Sequence, residues 1–300
     1  MSIEKGILPN FLCVGAQKSG TTTLFNLLKQ HPDIFLPKCK EIHFFDIDEH
    51  YNKGLKWYKK FFLDWKGEKA IGEITPSYMY FEKVPKRIFY TLGNNIKLIF
   101  ILRNPIDRAY SHYWMSYRRG YEKESFERAI ILESERLKKG IFEQFHFSYI
   151  NRGFYAKQIK RYFKYFPQNN CMFIIFEEFI KCPGKIFREI CQFLNISSDF
   201  IPPKLNIKSN PTMKPISKTL VDLMNNSKII RSLGKLIIPY KPFRKYIRTK
   251  IYEWNLKPFN PPKISKHLRY QLIKIFYPDI KELEKLINKD LTLWLEENLS

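Results

Sequence analysis

The sequence predicts an α/β fold of three layers, a central, mostly parallel sheet flanked by helices, with a helical C-terminal extension. Three observations lead there. Apolar runs of strand length alternate with stretches of helical periodicity through residues 8–200. The first such run breaks into a glycine-bearing loop that opens directly onto a helix. A later run ends on an arginine followed by Asn-Pro, a common way to start a helix.

Phe11 to Val14 suit a buried strand, and Leu24, Leu27 and Leu28 recur at helical spacing behind the loop. Lys69 to Glu73 form a short strand, Ile96 to Leu102 a buried one, and Cys171 to Phe176 another. Helices are expected over Ile106–Tyr117, Ser125–Ile141, Tyr155–Phe166 and Pro183–Leu194, where apolar residues recur over sufficient length. Residues 200–215, rich in Pro, Asn and Lys, read as a loop. Helical patterning returns over 216–300, with Leu268, Leu272, Ile275 and Phe276 on one face and Leu283, Leu286 and Ile287 on another. The whole chain, 1–300, is expected to be a single domain, with no internal repeat and no low-complexity tract.

Composition bounds the function. With 300 residues, 44% hydrophobic and 16% aromatic, the chain can bury a substantial core. Its apolar runs are too short to span a bilayer and no signal-like start is seen, so a cytoplasmic protein is expected. Five cysteines without Cys-x-x-Cys pairing argue against a disulfide framework or a zinc site. The net charge of +23 implies anionic partners without choosing among them. Between Lys228 and Lys250 there are eight Lys or Arg and no acid, mixed with apolar residues. That stretch is read either as a surface-seeking segment touching a membrane or lipid-linked acceptor, or as a solvated helical face over a small core. Pro239 and Pro242 are expected to interrupt any continuous helix there.

The loop after the first strand carries chemistry. Gly15 and Gly20 let backbone approach a ligand, and the unpaired N–H groups of the following helix carry the positive end of its dipole, so the loop reads as an anion cradle. A nucleotide-triphosphate loop would place its lysine after the second glycine, but that slot is Thr21 and Lys18 comes two residues earlier.

Arg103, at the carboxyl end of its strand, stands where open α/β sheets bind ligands and can fork onto a phosphate. Ser111, two turns into the next helix, can donate to the same group, whereas Arg108 reads as an exposed helix charge. In Lys40-Glu41-Ile42-His43-Phe44-Phe45-Asp46, alternation along an extended segment would bring Glu41 and His43 to one side, as a general base and a helper.

Together, Gln17-Lys18-Ser19-Gly20-Thr21-Thr22, Lys40 to Asp46, and Arg103-Asn104-Pro105-Ile106-Asp107-Arg108-Ala109-Tyr110-Ser111 resemble three signatures of sulfotransferases that use 3′-phosphoadenosine 5′-phosphosulfate. The likeness runs from Leu12 to Phe193 and is nearest to the heparan sulfate branch and its bacterial relatives. It implies a P-loop-like fold and transfer of a sulfuryl group to a hydroxyl or amine, the acceptor being anionic or a carbohydrate or glycolipid. No metal and no nucleic acid are expected. Residues Gln17, Lys18, Ser19, Gly20, Thr21, Thr22 and Thr23 would hold the 5′-phosphosulfate, with Lys18 neutralising the leaving oxygen. Arg103 and Ser111 would bind the 3′-phosphate, and Gly153 and Tyr155 would close over the nucleotide. Glu41 would take the acceptor proton, His43 would assist, and Lys40, Asp46 and Tyr78 would line the acceptor cleft. One departure stands out: Ile74 occupies a position that is often lysine in the family, leaving Lys40 as a replacement cation. A kinase-like phosphotransferase and a non-catalytic nucleic-acid-binding protein are the alternative readings; the first lacks a magnesium-binding acid after Leu102, and the second gives no reason for the Lys18 loop.

Overall fold

A computed structural model describes residues 7–205, 212–226 and 240–296. Five strands form one parallel sheet: β1 (Phe11–Gly15), β2 (Ile34–Phe35), β3 (Ala70–Ile74), β4 (Lys97–Leu102) and β5 (Cys171–Ile175), in the order β2-β3-β1-β4-β5. Near-continuous apolar runs such as Lys-Leu-Ile-Phe-Ile-Leu in β4 follow from burial on both faces. On one face Phe11, Cys13, Ile99, Ile101 and Ile174 pack with Leu24, Leu27 and Leu28 of α1 (Thr21–Leu28). Ile186, Phe187, Ile190 and Leu194, later in the chain, complete that cluster. On the other face, Phe100 meets the Tyr162 ring edge-on at 5.2 Å. Alternation along β4 therefore feeds two helical layers, as expected for a three-layer α/β fold.

Contacts divide the chain into two compact units. The first gathers the described residues of Met1–Arg108, Arg152–Ser209 and Gln271–Leu299, including the whole parallel sheet. The second gathers those of Ala109–Asn151 and Asn210–Tyr270. The second unit holds an antiparallel pair, β6 (Met213–Pro215) with β7 (Leu256–Pro258). Its buried Glu122 carboxylate accepts from Arg136 at 2.6 Å and from the Tyr149 hydroxyl at 2.8 Å.

Beyond α1 the helices among the described residues are α2 (Asp48–Tyr51), α3 (Gly54–Lys59), α4 (Lys83–Leu92), α5 (Pro105–Arg118), α6 (Phe126–Leu137), α7 (Ile141–His146) and α8 (Tyr155–Phe163). They are followed by α9 (Phe176–Lys181), α10 (Pro183–Leu194), α11 (Lys218–Asn226), α12 (Lys241–Trp254) and α13 (Lys266–Ile287). Four expectations are corrected. The helix expected over Ser125–Ile141 splits into α6 and α7, because Gly140 adopts φ 150 and interrupts the ladder. Ser125 instead caps α6 by accepting from Arg128 N. The expected loop ends in strand β6, its residues 206–211 lying outside the described set. Pro242 starts α12 rather than breaking it, since the first helical turn needs no N–H donor; Pro239 lies outside the described residues. On α13, Ile275 faces solvent, and the buried stripe instead runs through Leu272, Ile273, Phe276, Ile280 and Leu283.

Gly72 in β3 lies opposite Phe11 of β1. A Cβ there would come within 2.0 Å of the Phe11 ring. Gly72→Ala is therefore expected to destabilise the protein by roughly 1–3 kcal/mol through overpacking. Urea denaturation measures it, and an unchanged midpoint would contradict this account.

Candidate active site

β1 lies between β3 and β4, so the loops leaving these three strands share one edge of the sheet, the place where open α/β folds bind ligands. Backbone hydrogen bonds lace the strand ends together. Thr75 N donates to Cys13 O at 3.1 Å, Met79 N to Val14 O at 2.7 Å, and Ala16 N to Ile101 O at 2.6 Å.

Gly20 caps α1 in the left-handed region, at φ 87. A Cβ at Gly20 would also meet the Phe176 ring at 2.7 Å, so conformation and space both demand glycine. Lys18 also has positive φ, 73, which turns the loop back over the start of α1. Ser19 is fully buried, and neither its Oγ nor Gln17 Oε1 has a hydrogen-bond partner among the described residues. The unsatisfied Ser19 hydroxyl beside a helix N-terminus fits an incoming oxyanion, which accepts from a hydroxyl and from backbone N–H groups, whereas Gln17 Oε1 needs a donor instead. Thr21 is buried, Thr23 half-buried and Thr22 exposed.

Arg103 completes this side. Its guanidinium donates to Lys18 O at 3.2 Å and lies 4.9 Å from the centre of the Phe176 ring. One ring therefore abuts both Gly20 and Arg103, a contact that local sequence could not predict because Phe176 begins a different helix. Tyr155 donates its hydroxyl to Arg103 O at 2.9 Å, and burial pushes that phenol well above its usual range. Asn104 caps α5 as expected, with Oδ1 accepting from Ile106 N at 2.9 Å. Ser111 is half-buried on the part of α5 that belongs to the second unit. Gly153 is hemmed in by packing, since a Cβ would meet the Phe276 ring at 2.6 Å. Arg108, expected to be solvated, is fully buried; it lines a small cavity with Ala16, Gln17, Pro76, Met79, Tyr80, Arg152 and Gln158.

The segment around Glu41 is not extended. Glu41 and His43 both have positive φ, 66 and 57, yet their side chains still meet, with His43 Nε2 3.7 Å from Glu41 Oε2. Non-glycine residues reach this region only when their surroundings hold them there. Here Glu41 N donates to Ile74 O at 3.2 Å, while Phe44 N and Phe45 N both donate to the Tyr78 hydroxyl, at 2.8 and 3.3 Å. His43 Nδ1 lies 2.9 Å from the fully buried Asp46, and Ser77 Oγ donates to the same Asp46 oxygen. Burial of the His43 ring works against its protonation. The hydrogen bond to Asp46 and the charges of Asp46, Glu41 and Glu73 outweigh that burial, so its pKa is raised. The Lys40 ammonium contacts the Glu41 carboxylate, whereas Ile74, where a family lysine was expected, is buried in the core.

Tyr78 has no open face. It is fully buried and donates to Glu73 Oε1 at 2.6 Å, so it holds the Glu41 segment from behind. Glu73 also accepts from Thr75 at 2.7 Å and from Tyr58. Desolvation raises the Glu73 pKa despite these three hydroxyls. Sequence reading missed Glu73 and Tyr58 as site-supporting residues; the available signal was a carboxylate inside the otherwise apolar Ala-Ile-Gly-Glu-Ile strand.

With this geometry established, similarity to known proteins is informative. Residues 8–227 match the sulfotransferase domain family. The chain is 29% identical over 213 residues to the human heparan sulfate glucosamine 3-O-sulfotransferase 5, covering 66% of this chain and 55% of that protein. It is 29% identical over 308 residues to the mouse bifunctional heparan sulfate N-deacetylase/N-sulfotransferase 4, covering 97% of this chain and 32% of that protein. The chain thus spans about half the length of the first of these relatives and a third of the second. Among solved structures, a sulfotransferase from Alicyclobacillus acidocaldarius superposes with a TM-score of 0.71 at 29% identity, over 97% of this chain and all of that one. The parallel sheet, the loop at its edge and the domain match agree, and the chain belongs to the sulfotransferase family.

Proposed function

We propose that this protein transfers a sulfuryl group from 3′-phosphoadenosine 5′-phosphosulfate to a hydroxyl or amine of a carbohydrate acceptor, with Glu41 as general base. The observation that carries this reading is that the Lys18–Arg103 contact and the Glu41, His43 and Asp46 cluster both follow the carboxyl ends of strands in one parallel sheet. The names of its relatives point to glucosamine-containing chains, sulfated on oxygen or on nitrogen. The net charge of +23 favours an anionic polymer of that kind.

The residues present fit the donor. The buried Ser19 hydroxyl, the Gly20 turn and the first turn of α1 form a cradle for its sulfated end, from Gln17 to Thr23. Arg103 and Ser111 are assigned to the 3′-phosphate. Tyr155 and Gly153 support that end, Tyr155 through the Arg103 carbonyl and Gly153 through close packing against Phe276. When bound, the donor supplies an activated sulfuryl group and leaves as the bisphosphate. Lys18 places a positive charge beside the departing oxygen. Glu41 accepts the proton of the attacking hydroxyl or amine. Against the burial of its ring, the Asp46 hydrogen bond and the surrounding carboxylates shift His43 toward its protonated form, which leaves it less able to accept a proton and supports Glu41 over His43 as the base. Asp46 and Ser77 hold the His43 ring in place beside Glu41, and Lys40 tempers the negative charge of Glu41.

Lys18→Ala is expected to cost roughly 3 kcal/mol of transition-state stabilisation, by analogy with loss of an oxyanion donor. Turnover with labelled donor measures it; near wild-type rates would exclude this role. Glu41→Gln should lower turnover by about two to four orders of magnitude with donor binding intact. An active Glu41→Gln beside a dead His43→Ala would move the base to His43. For Arg103→Ala, calorimetry with the 3′,5′-bisphosphate should register a loss of about 1.5–3 kcal/mol, typical of a hydrogen bond to a charged group. Unchanged affinity would remove Arg103 from the 3′-phosphate site.

A further inference from the structure

Helix α12 leaves its apolar stripe uncovered. An amphipathic helix on a soluble protein normally buries its apolar stripe and shows its charges to water. At 100° per residue, Phe243, Ile247, Ile251 and Trp254 fall on one face of α12, with Tyr240 and Tyr246 beside it, while Lys241, Lys245 and Arg248 fall on the opposite face. No residue of α12 is buried. Its polar side makes the contacts within the second unit: Arg248 donates to Asn225 Oδ1 at 3.3 Å, and the Tyr252 hydroxyl donates to Arg118 O at 3.3 Å. The apolar side is nonetheless uncovered, like Lys241, Lys245 and Arg248 on the other side: Tyr240 is 69%, Phe243 51%, Tyr246 58%, Ile251 40% and Trp254 76% exposed, and Ile247 is half-buried.

We propose that α12 is an interfacial helix that docks this protein on the surface of an anionic lipid bilayer. Three features favour a bilayer over another protein surface. The exposed side chains are mainly aromatic, with Tyr and Trp that prefer the headgroup level, and aromatic rings with one aliphatic residue can enter the acyl boundary. Lys250 lies among them on the same face and Arg244 beside it, while Lys241, Lys245 and Arg248 carry the positive charge round the far side, against the single acid Glu253. Long basic side chains can reach lipid phosphates while their stems cover apolar surface. Lys250 already lies 5.8 Å from the centre of the Tyr246 ring, which stacks with Phe243 at 6.4 Å, so cation and rings form one patch. The charge then has a definite partner, complementary to the negative surface potential of such a membrane. Part of the basic and apolar stretch noted in the sequence, residues 227–239, lies outside the described residues and carries no part of this argument.

The experiment is flotation of the full chain with vesicles of phosphatidylcholine alone and of phosphatidylcholine mixed with phosphatidylglycerol. The wild type should float with the anionic vesicles only and be released as salt is raised. The double variant Phe243→Ser/Trp254→Ser should lose about tenfold or more in vesicle partition, since each aromatic side chain withdrawn from water contributes substantially. Both side chains are exposed, so the variant should fold, and an unchanged thermal midpoint and unchanged sulfuryl transfer to a soluble acceptor would verify this. Lys250→Gln should weaken binding to anionic vesicles, with the thermal midpoint unchanged. Failure of the wild type to float, or equal flotation of wild type and the aromatic variant, overturns the proposal. It is also overturned if the aromatic substitutions instead abolish self-association in gel filtration, or retention on an acidic polysaccharide with no vesicle binding. In those cases the face belongs to a second copy of the chain or to the acceptor polymer. None of these outcomes bears on the roles of Lys18, Glu41 or Arg103.

Discussion

A carboxylate withdrawn from water must be hydrogen-bonded on every side, and Glu73 imposes that requirement on the centre of the site. Three hydroxyls, from Tyr58, Thr75 and Tyr78, answer it. Because Tyr78 spends its proton on Glu73, its oxygen is left to accept, and it takes the N–H groups of Phe44 and Phe45. Those two bonds, with the one from Glu41 N to Ile74 O, hold the backbone through Glu41 and His43 in a conformation that these residues seldom adopt alone. The Glu41 carboxylate thus inherits its position from a buried carboxylate in the sheet.

The opposite wall of the site rests on apolar packing instead. Phe176 fills the space that a Cβ on Gly20 would occupy and lies against the Arg103 guanidinium. A rigid ring shared by a loop glycine and a cation couples the two groups assigned to opposite ends of one donor. Planar guanidinium suits this stacked place in a way that an ammonium would not. The two walls differ in a useful respect: hydrogen bonds aim the Glu41 side, while close packing shapes the Gly20 and Arg103 side.

Much of this was legible along the chain because it is local. Strand and helix periods, the Asn104 cap, the Pro183–Leu194 helix and the Gly15-to-Thr21 loop depend on residues a few positions apart. Glu41 and His43 were also expected side by side, although alternation along an extended segment was the wrong reason; two positive-φ residues bring them together. Arg108 was misread because a charge between helix turns normally faces water, and nothing nearby in sequence signals burial at that point. The break at Gly140 was hidden by apolar residues that continue the pattern on both sides of it.

The sequence alone determined the class of fold, the positions of four of its strands along the chain, and the glycine-bearing loop between β1 and α1. Each of these follows from side-chain periodicity or from motifs contained within a short span. Tertiary structure alone decided that Tyr58 and Tyr78 support Glu73, that Phe176 serves both Gly20 and Arg103, and that α12 turns its aromatic side outward. The physical reason is common to all three. Burial and hydrogen-bond satisfaction are settled between residues distant along the chain, and amphipathic periodicity tells that a helix has two faces without telling which one meets water.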